Sequence, residues 1–161
     1  MQKTYPTHLR QHKNMETKII HLSLPGLLST DQMLALNLET RTLSLLSDGP
    51  TLIMEQQFSV NEMSVLVPIL ESFPHYCPYE VLLSHISSHT VTSASIARSR
   101  QRLQEAQTRG TGQQELRSIR RALSSLRSKL HRFDLEISNV RERGCSLTSL
   151  TSTPSAGSSD E

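Results

Sequence analysis

The sequence predicts an α+β fold: a small antiparallel sheet first, helices in the middle and a β-hairpin last. Three observations carry this expectation. Short runs rich in Leu and Ile, punctuated by Gly, Asp, Asn and Pro, fill residues 18–56. Apolar residues at helical spacing, with capping and stop signals, fill 59–132. A brief apolar/polar alternation, a turn and a second short run fill 135–150. One domain over 18–150 follows, with a flexible polar arm at 1–17 and a disordered Ser/Thr-rich tail at 151–161.

In the sheet, the strand-like runs are 18–24, 34–38, 42–46 and 51–54, and Asp48-Gly49-Pro50 is the strongest hairpin signal. The Pro argues against a plain two-residue turn there. Ser59-Val60-Asn61-Glu62 has the form of a capping box, in which the Ser hydroxyl accepts from the Glu62 amide while the Glu62 carboxylate reaches back. With Met63, Leu66, Ile69 and Leu70 as its apolar face, it predicts a helix over 60–72, bent or shortened at Pro68 and ended by Phe73 and Pro74. A second helix is expected from near Cys77, with Pro78 at its first position, where a missing N–H costs nothing. A third covers 93–109 and stops at Gly110-Thr111-Gly112.

The fourth helix, expected over about 113–132, is the most informative element. Leu116, Ile119, Leu123, Leu126 and Leu130 recur at spacings of 3, 4, 3 and 4 and so share one face. Arg117, Arg120, Arg121, Ser124, Arg127 and Ser128 occupy the rest of its surface. A hairpin follows over 135–150.

Charge sharpens this picture. The net charge of +2 hides an asymmetry. Residues 1–97 hold five Lys/Arg against eight Asp/Glu, while 98–132 hold ten against two. A basic segment of that density points to an acidic partner, and nucleic acid is the commonest one. Aromatic residues make up only 4%, too few for a platform that stacks single-stranded bases. Two cysteines, Cys77 and Cys145, make no disulfide framework and fit reduced thiols in the cytoplasm. No run approaches a membrane span, and no address signal precedes residue 18, so a cytoplasmic protein away from membranes is expected. His85 and His89 are four apart on a helix, but no acidic or Cys-x-x-Cys partner accompanies them, so no metal site is expected. No catalytic constellation or phosphate-cradling loop stands out, which argues against an enzyme and against a cofactor.

Particular residues then suggest a family. Phe58, Ser59, Glu62, Met63, Val65 and Leu66 lead the first helix. Leu82 and Leu83 close the second, Leu123, Leu126, Arg127, Lys129 and Leu130 end the basic one, and Ile137, Asn139, Val140, Arg141, Gly144 and Leu147 form the hairpin. In this order the pattern resembles the winged helix-turn-helix effector domain of OmpR/PhoB-type response regulators. That family carries Leu-Thr-x-x-Glu-Phe-x-Leu-Leu at its first helix, Ile-x-x-Leu-Arg-x-Lys-Leu at the end of its recognition helix and Ile-x-Thr-Val-Arg-Gly-x-Gly-Tyr-x-Leu in its wing. The similarity spans about 34–147. Glu142 stands in place of the first wing Gly and Cys145 in place of the Tyr. The connection before the recognition helix is longer than usual by about 20 residues, and no receiver domain fits before residue 34.

The resemblance implies a three-helix core plus an extra inserted helix, and sequence-specific binding of double-stranded DNA by a transcription regulator. Its recognition helix would enter the major groove and its wing would lie near the minor groove. By position, Arg117, Ser124 and Arg127 match phosphate contacts, Arg121, Ala122 and Ser125 match places facing base edges, and Asn139 and Arg141 match wing contacts. Arg120 lies beside them and would serve phosphate. RNA polymerase is the partner implied for 87–112, and a homodimer stays open. Two other readings remain open at this point: a protein-interaction module that kept the fold and lost DNA, and an RNA binder using the same basic face.

Overall fold

A computed structural model of the chain describes residues 9–13 by backbone alone, and residues 18–88 and 90–150 in full. It is a mixed α+β structure that opens on a five-stranded antiparallel meander. The strands are β1 (Leu9–Lys13), β2 (Lys18–Leu22), β3 (Gln32–Asn37), β4 (Thr42–Ser47) and β5 (Thr51–Gln57), in that spatial order. Alternation decides the sheet's faces. Ile20, Leu22, Leu34, Leu36, Leu43 and Leu45 all point to one side and are buried. The β3–β4 turn is held locally, with the Asn37 side chain accepting from the backbone amides of Glu39 and Thr40. The β4–β5 connection is a three-residue loop, with Ser47 opposite Thr51 and both Asp48 and Gly49 at positive φ.

All four strands expected over 18–56 are present. Strand β1 is an addition, because residues 9–13 fall inside the stretch expected to be a flexible arm. Paired with β2 from Leu9 opposite Leu22 to Lys13 opposite Lys18, it belongs to the sheet. Its sequence, LRQHK, lacks the apolar alternation that marks a half-buried strand. The rest of that arm and the tail at 151–161 lie outside the described residues.

Helix α1 (Val60–Ser72) starts with the expected reciprocal capping box. The Glu62 amide donates to Ser59 Oγ at 3.1 Å, and the Ser59 amide donates to Glu62 Oε1 at 2.8 Å. The helix continues unbroken past Pro68 and ends at Phe73. Helix α2 (Tyr79–Ser87) begins later than expected. Cys77 and Pro78 form a two-residue strand, β6, opposite Cys145 and Gly144, and Pro78 becomes the extended N-cap with ψ of 150°. Pairing with the C-terminal hairpin holds Pro78 out of the helix.

Helix α3 (Ser93–Arg109) runs over the expected range. It is capped at Thr92 and stopped by Gly110, whose φ of 77° is a conformation other residues rarely adopt. The single helix expected over 113–132 is divided. A four-residue helix, α4 (Gly112–Glu115), is separated from α5 (Arg117–Leu130) by Leu116, which has φ of −91° and ψ of 2°. The break coincides with a change of partner: α4 packs on α3, where the Glu115 carboxylate accepts from Arg102 at 2.7 Å, whereas α5 packs on α1. A 3₁₀ turn (His131–Phe133) leads into β7 (Leu135–Val140) and β8 (Gly144–Ser149), which form the expected hairpin. With β6 they make a second sheet, ordered β6-β8-β7. One apolar cluster joins both sheets to α1, α2 and α5. Among the described residues no helix is long and apolar enough to cross a membrane.

Candidate nucleic-acid interface

Helix α5 is sharply two-sided. Ile119, Ala122, Leu123, Leu126 and Leu130 are buried in the common core. Arg117, Arg120, Arg121, Ser124 and Ser125 are exposed. No side chain caps its first turn, and its apolar face seats it on the core. Arg117, Arg120, Arg121 and Ser124 line one shallow cleft with Gln113 and Gln114 of α4. Arg120 donates to the Gln113 side chain, which lays the guanidinium along that cleft. Among the described residues no carboxylate lies within ion-pair distance of Arg117, Arg120 or Arg121. Their positive charge is therefore uncompensated and directed outward.

The remaining predicted residues divide differently. Arg127, matched to a phosphate contact, is turned to the hairpin. Its Nε donates to the Ile137 carbonyl at 3.0 Å and its Nη2 to Asn139 Oδ1 at 3.0 Å. Asn139, matched to a wing contact, is thus the partner of Arg127, and it also accepts from Cys145 Sγ at 3.7 Å. Ser125, matched to a base-facing place, donates its hydroxyl to the Ala122 carbonyl and lies against the Glu62 carboxylate. Arg141 is exposed in the β7–β8 turn. The sequence reading passed over Arg143, which is exposed in the same turn, two residues on. Its signal in the sequence is the run Arg141-Glu142-Arg143, two cations flanking one acid at the centre of the turn.

That turn is anchored at both ends. The Arg143 amide donates to the Val140 carbonyl, and the Arg143 carbonyl accepts from the Tyr79 amide at 2.9 Å. Between the two arginines Glu142 sits at φ of 56°, in the left-handed region where glycine is at ease. Gly144 next to it is required: a Cβ there would stand 2.0 Å from the Cys77 carbonyl oxygen.

Electrostatics beneath the interface are structural. Lys129 donates to Glu62 Oε1 at 2.8 Å and to the Gln57 carbonyl, with its ammonium 5.5 Å from the Phe58 ring centre. Burial of Glu62 raises its pKa, but the hydrogen bonds from Lys129 and the Ser59 amide, with the Ser125 hydroxyl close by, outweigh it, and the carboxyl is held below its ordinary range. Cys77 and Cys145, opposite each other on β6 and β8, are both buried free thiols. Burial pushes the Cys77 thiol up to about 12, and it raises Cys145 against the opposing pull of the Arg127 guanidinium. Neither is a reactive thiolate near neutrality. Helix α3 adds cations of a different kind, since Arg100 pairs with Glu80 at 3.2 Å and Arg102 with Glu115 at 2.7 Å. Among the described residues no group of three His, Cys, Asp or Glu side chains is placed to hold a metal ion, and His89 lies outside them.

Compared with known proteins, the chain matches no family model, no curated protein and no solved structure.

Proposed function

We propose that the chain binds double-stranded DNA as a sequence-specific transcription regulator of winged-helix type. Helix α5 lies in the major groove and the β7–β8 hairpin acts as a wing beside the minor groove. One observation carries the reading: a helix seated on the core by its leucines, whose outer face presents Arg117, Arg120 and Arg121 with no neutralising carboxylate among the described residues. A major groove accepts a helix of that shape, and phosphate attracts that charge. Arg141 and Arg143, exposed at the hairpin tip, give a second basic contact. Arg121 is the reader, since a guanidinium bonded through two N–H groups to guanine discriminates by about 1–3 kcal/mol. Arg117 and Arg120 serve phosphate.

A second reading is a protein-interaction module on the same fold. It is favoured by the engagement of Ser125, Arg127 and Asn139 with acceptors and donors of the fold itself, which occupies three of the eight residues assigned to DNA. Selection of bound duplexes from a random pool, at two salt concentrations, separates the two. The DNA reading predicts a recovered consensus and an affinity falling steeply with salt, by a log-log slope of about −0.9 per phosphate contact. Arg121→Ala should relax the consensus, and Arg117→Ala should weaken all duplexes alike. Recovery of no consensus, with salt-insensitive or absent binding, contradicts it.

A further inference from the structure

We propose that Arg127 is a positioning residue that fixes the hairpin on α5 and so sets where Arg141 and Arg143 stand relative to the arginines of α5. The inference deepens the DNA-binding reading and rests on it for its consequence, though not for its geometry. A guanidinium is a planar fork whose donors are fixed relative to one another. Two of its arms, Nε and Nη2, meet acceptors two residues apart on one strand, the Ile137 carbonyl and Asn139 Oδ1, each at 3.0 Å. Glu136 Oε1 stands at 4.0 Å from Nε on the same strand. Such a clamp fixes the strand's tilt as well as its distance.

The clamp reaches further. Asn139 stands opposite Cys145 on β8 and takes the weak Sγ hydrogen bond, and Tyr79 at the start of α2 lies against that same thiol. One cluster thus joins α2, α5 and both hairpin strands. Arg117 and Arg121, by contrast, have no acidic partner among the described residues and face outward. Arg127 therefore contributes to duplex binding through geometry, and the outward arginines contribute through contact.

The test uses the full chain and two variants. Arg127→Lys keeps the charge and loses the fork, while Arg127→Met keeps the stem and loses both. Amide hydrogen exchange without nucleic acid should show the β7–β8 amides opening at least about tenfold faster in both variants. In duplex titrations across salt, both should bind about tenfold more weakly. The Arg127→Met salt slope should stay at the wild-type value, whereas loss of a phosphate contact would lower it by about 1. Arg141→Ala should weaken the wild type several-fold and cost much less in the Arg127→Met background. Arg127→Lys binding like wild type, or unchanged hairpin exchange in both variants, overturns the inference. If the wild type binds no duplex while exchange still accelerates, the DNA reading fails and the clamp stands.

Discussion

Glu62 ties three elements together through one carboxylate. It closes the capping box at the start of α1, and it accepts from Lys129, which also reaches the last residue of β5. Its side chain is 5% exposed and that of Lys129 is 32% exposed, so the pair is half-buried, and removing Lys129 would leave the carboxylate without its cation. Glu62→Gln should cost about 1.5 kcal/mol in urea unfolding at pH 7, where a charged hydrogen bond is lost. The folded-state pKa lies below the ordinary 4.5, so this stability is fully present above that value and is lost as pH falls through the depressed one. The gap between variant and wild type should therefore narrow as pH falls below 4.5 and close once Glu62 is protonated in the folded state. A gap independent of pH would refute the ion pair as its source. At this scale residue type was legible in the sequence and direction was not. Arg127 and Arg121 are both polar-face arginines in the linear pattern. Which of them faces solvent depends on a strand that begins eight residues after Arg127 and packs beside it. Ser125 stays exposed, yet its hydroxyl donates to the Ala122 carbonyl of its own helix, which the linear pattern does not show.

Elements were more legible, and the exceptions have physical causes. The capping box, the Gly110 stop and the leucine spacing are local signals, and α1, α3 and the hairpin follow them. Strand β6 is two residues long and has no period to read; it exists because Gly144 lets the Cys77 backbone come close. The break at Leu116 is equally silent in the spacing, since Leu116 keeps its place in the apolar stripe while Glu115 answers to α3. Gly144→Ala tests the account of β6. A methyl group meeting backbone at 2.0 Å cannot be relieved by a side-chain rotation. The variant should lose on the order of 3 kcal/mol and melt about 10 °C lower, with the hairpin exchanging freely. Melting alongside wild type would show that the β6–β8 approach is not required.

Across the whole molecule, charge and architecture separate. The segment 98–132 carries ten cations against two acids, yet the fold treats them unequally. Two α3 arginines are engaged with Glu80 and Glu115, and Arg127 and Lys129 are engaged with the hairpin and α1, while exposed cations stand on α5, at the hairpin tip and at Arg98 and Arg109 of α3. Composition disclosed the basic character of the segment, but only packing distinguishes arginines that hold the fold from those free to meet a polyanion. The α+β class, with a sheet before the helices and a hairpin after them, was legible because each part has its own local period. The most direct measurement is amide hydrogen exchange across the chain with and without a saturating selected duplex. Protection concentrated on Arg117–Ser124 and on the turn at Arg141–Arg143, with β2–β5 unchanged, is the predicted result. Protection confined to the N-terminal sheet or to α3, or no change at any duplex concentration, would contradict it.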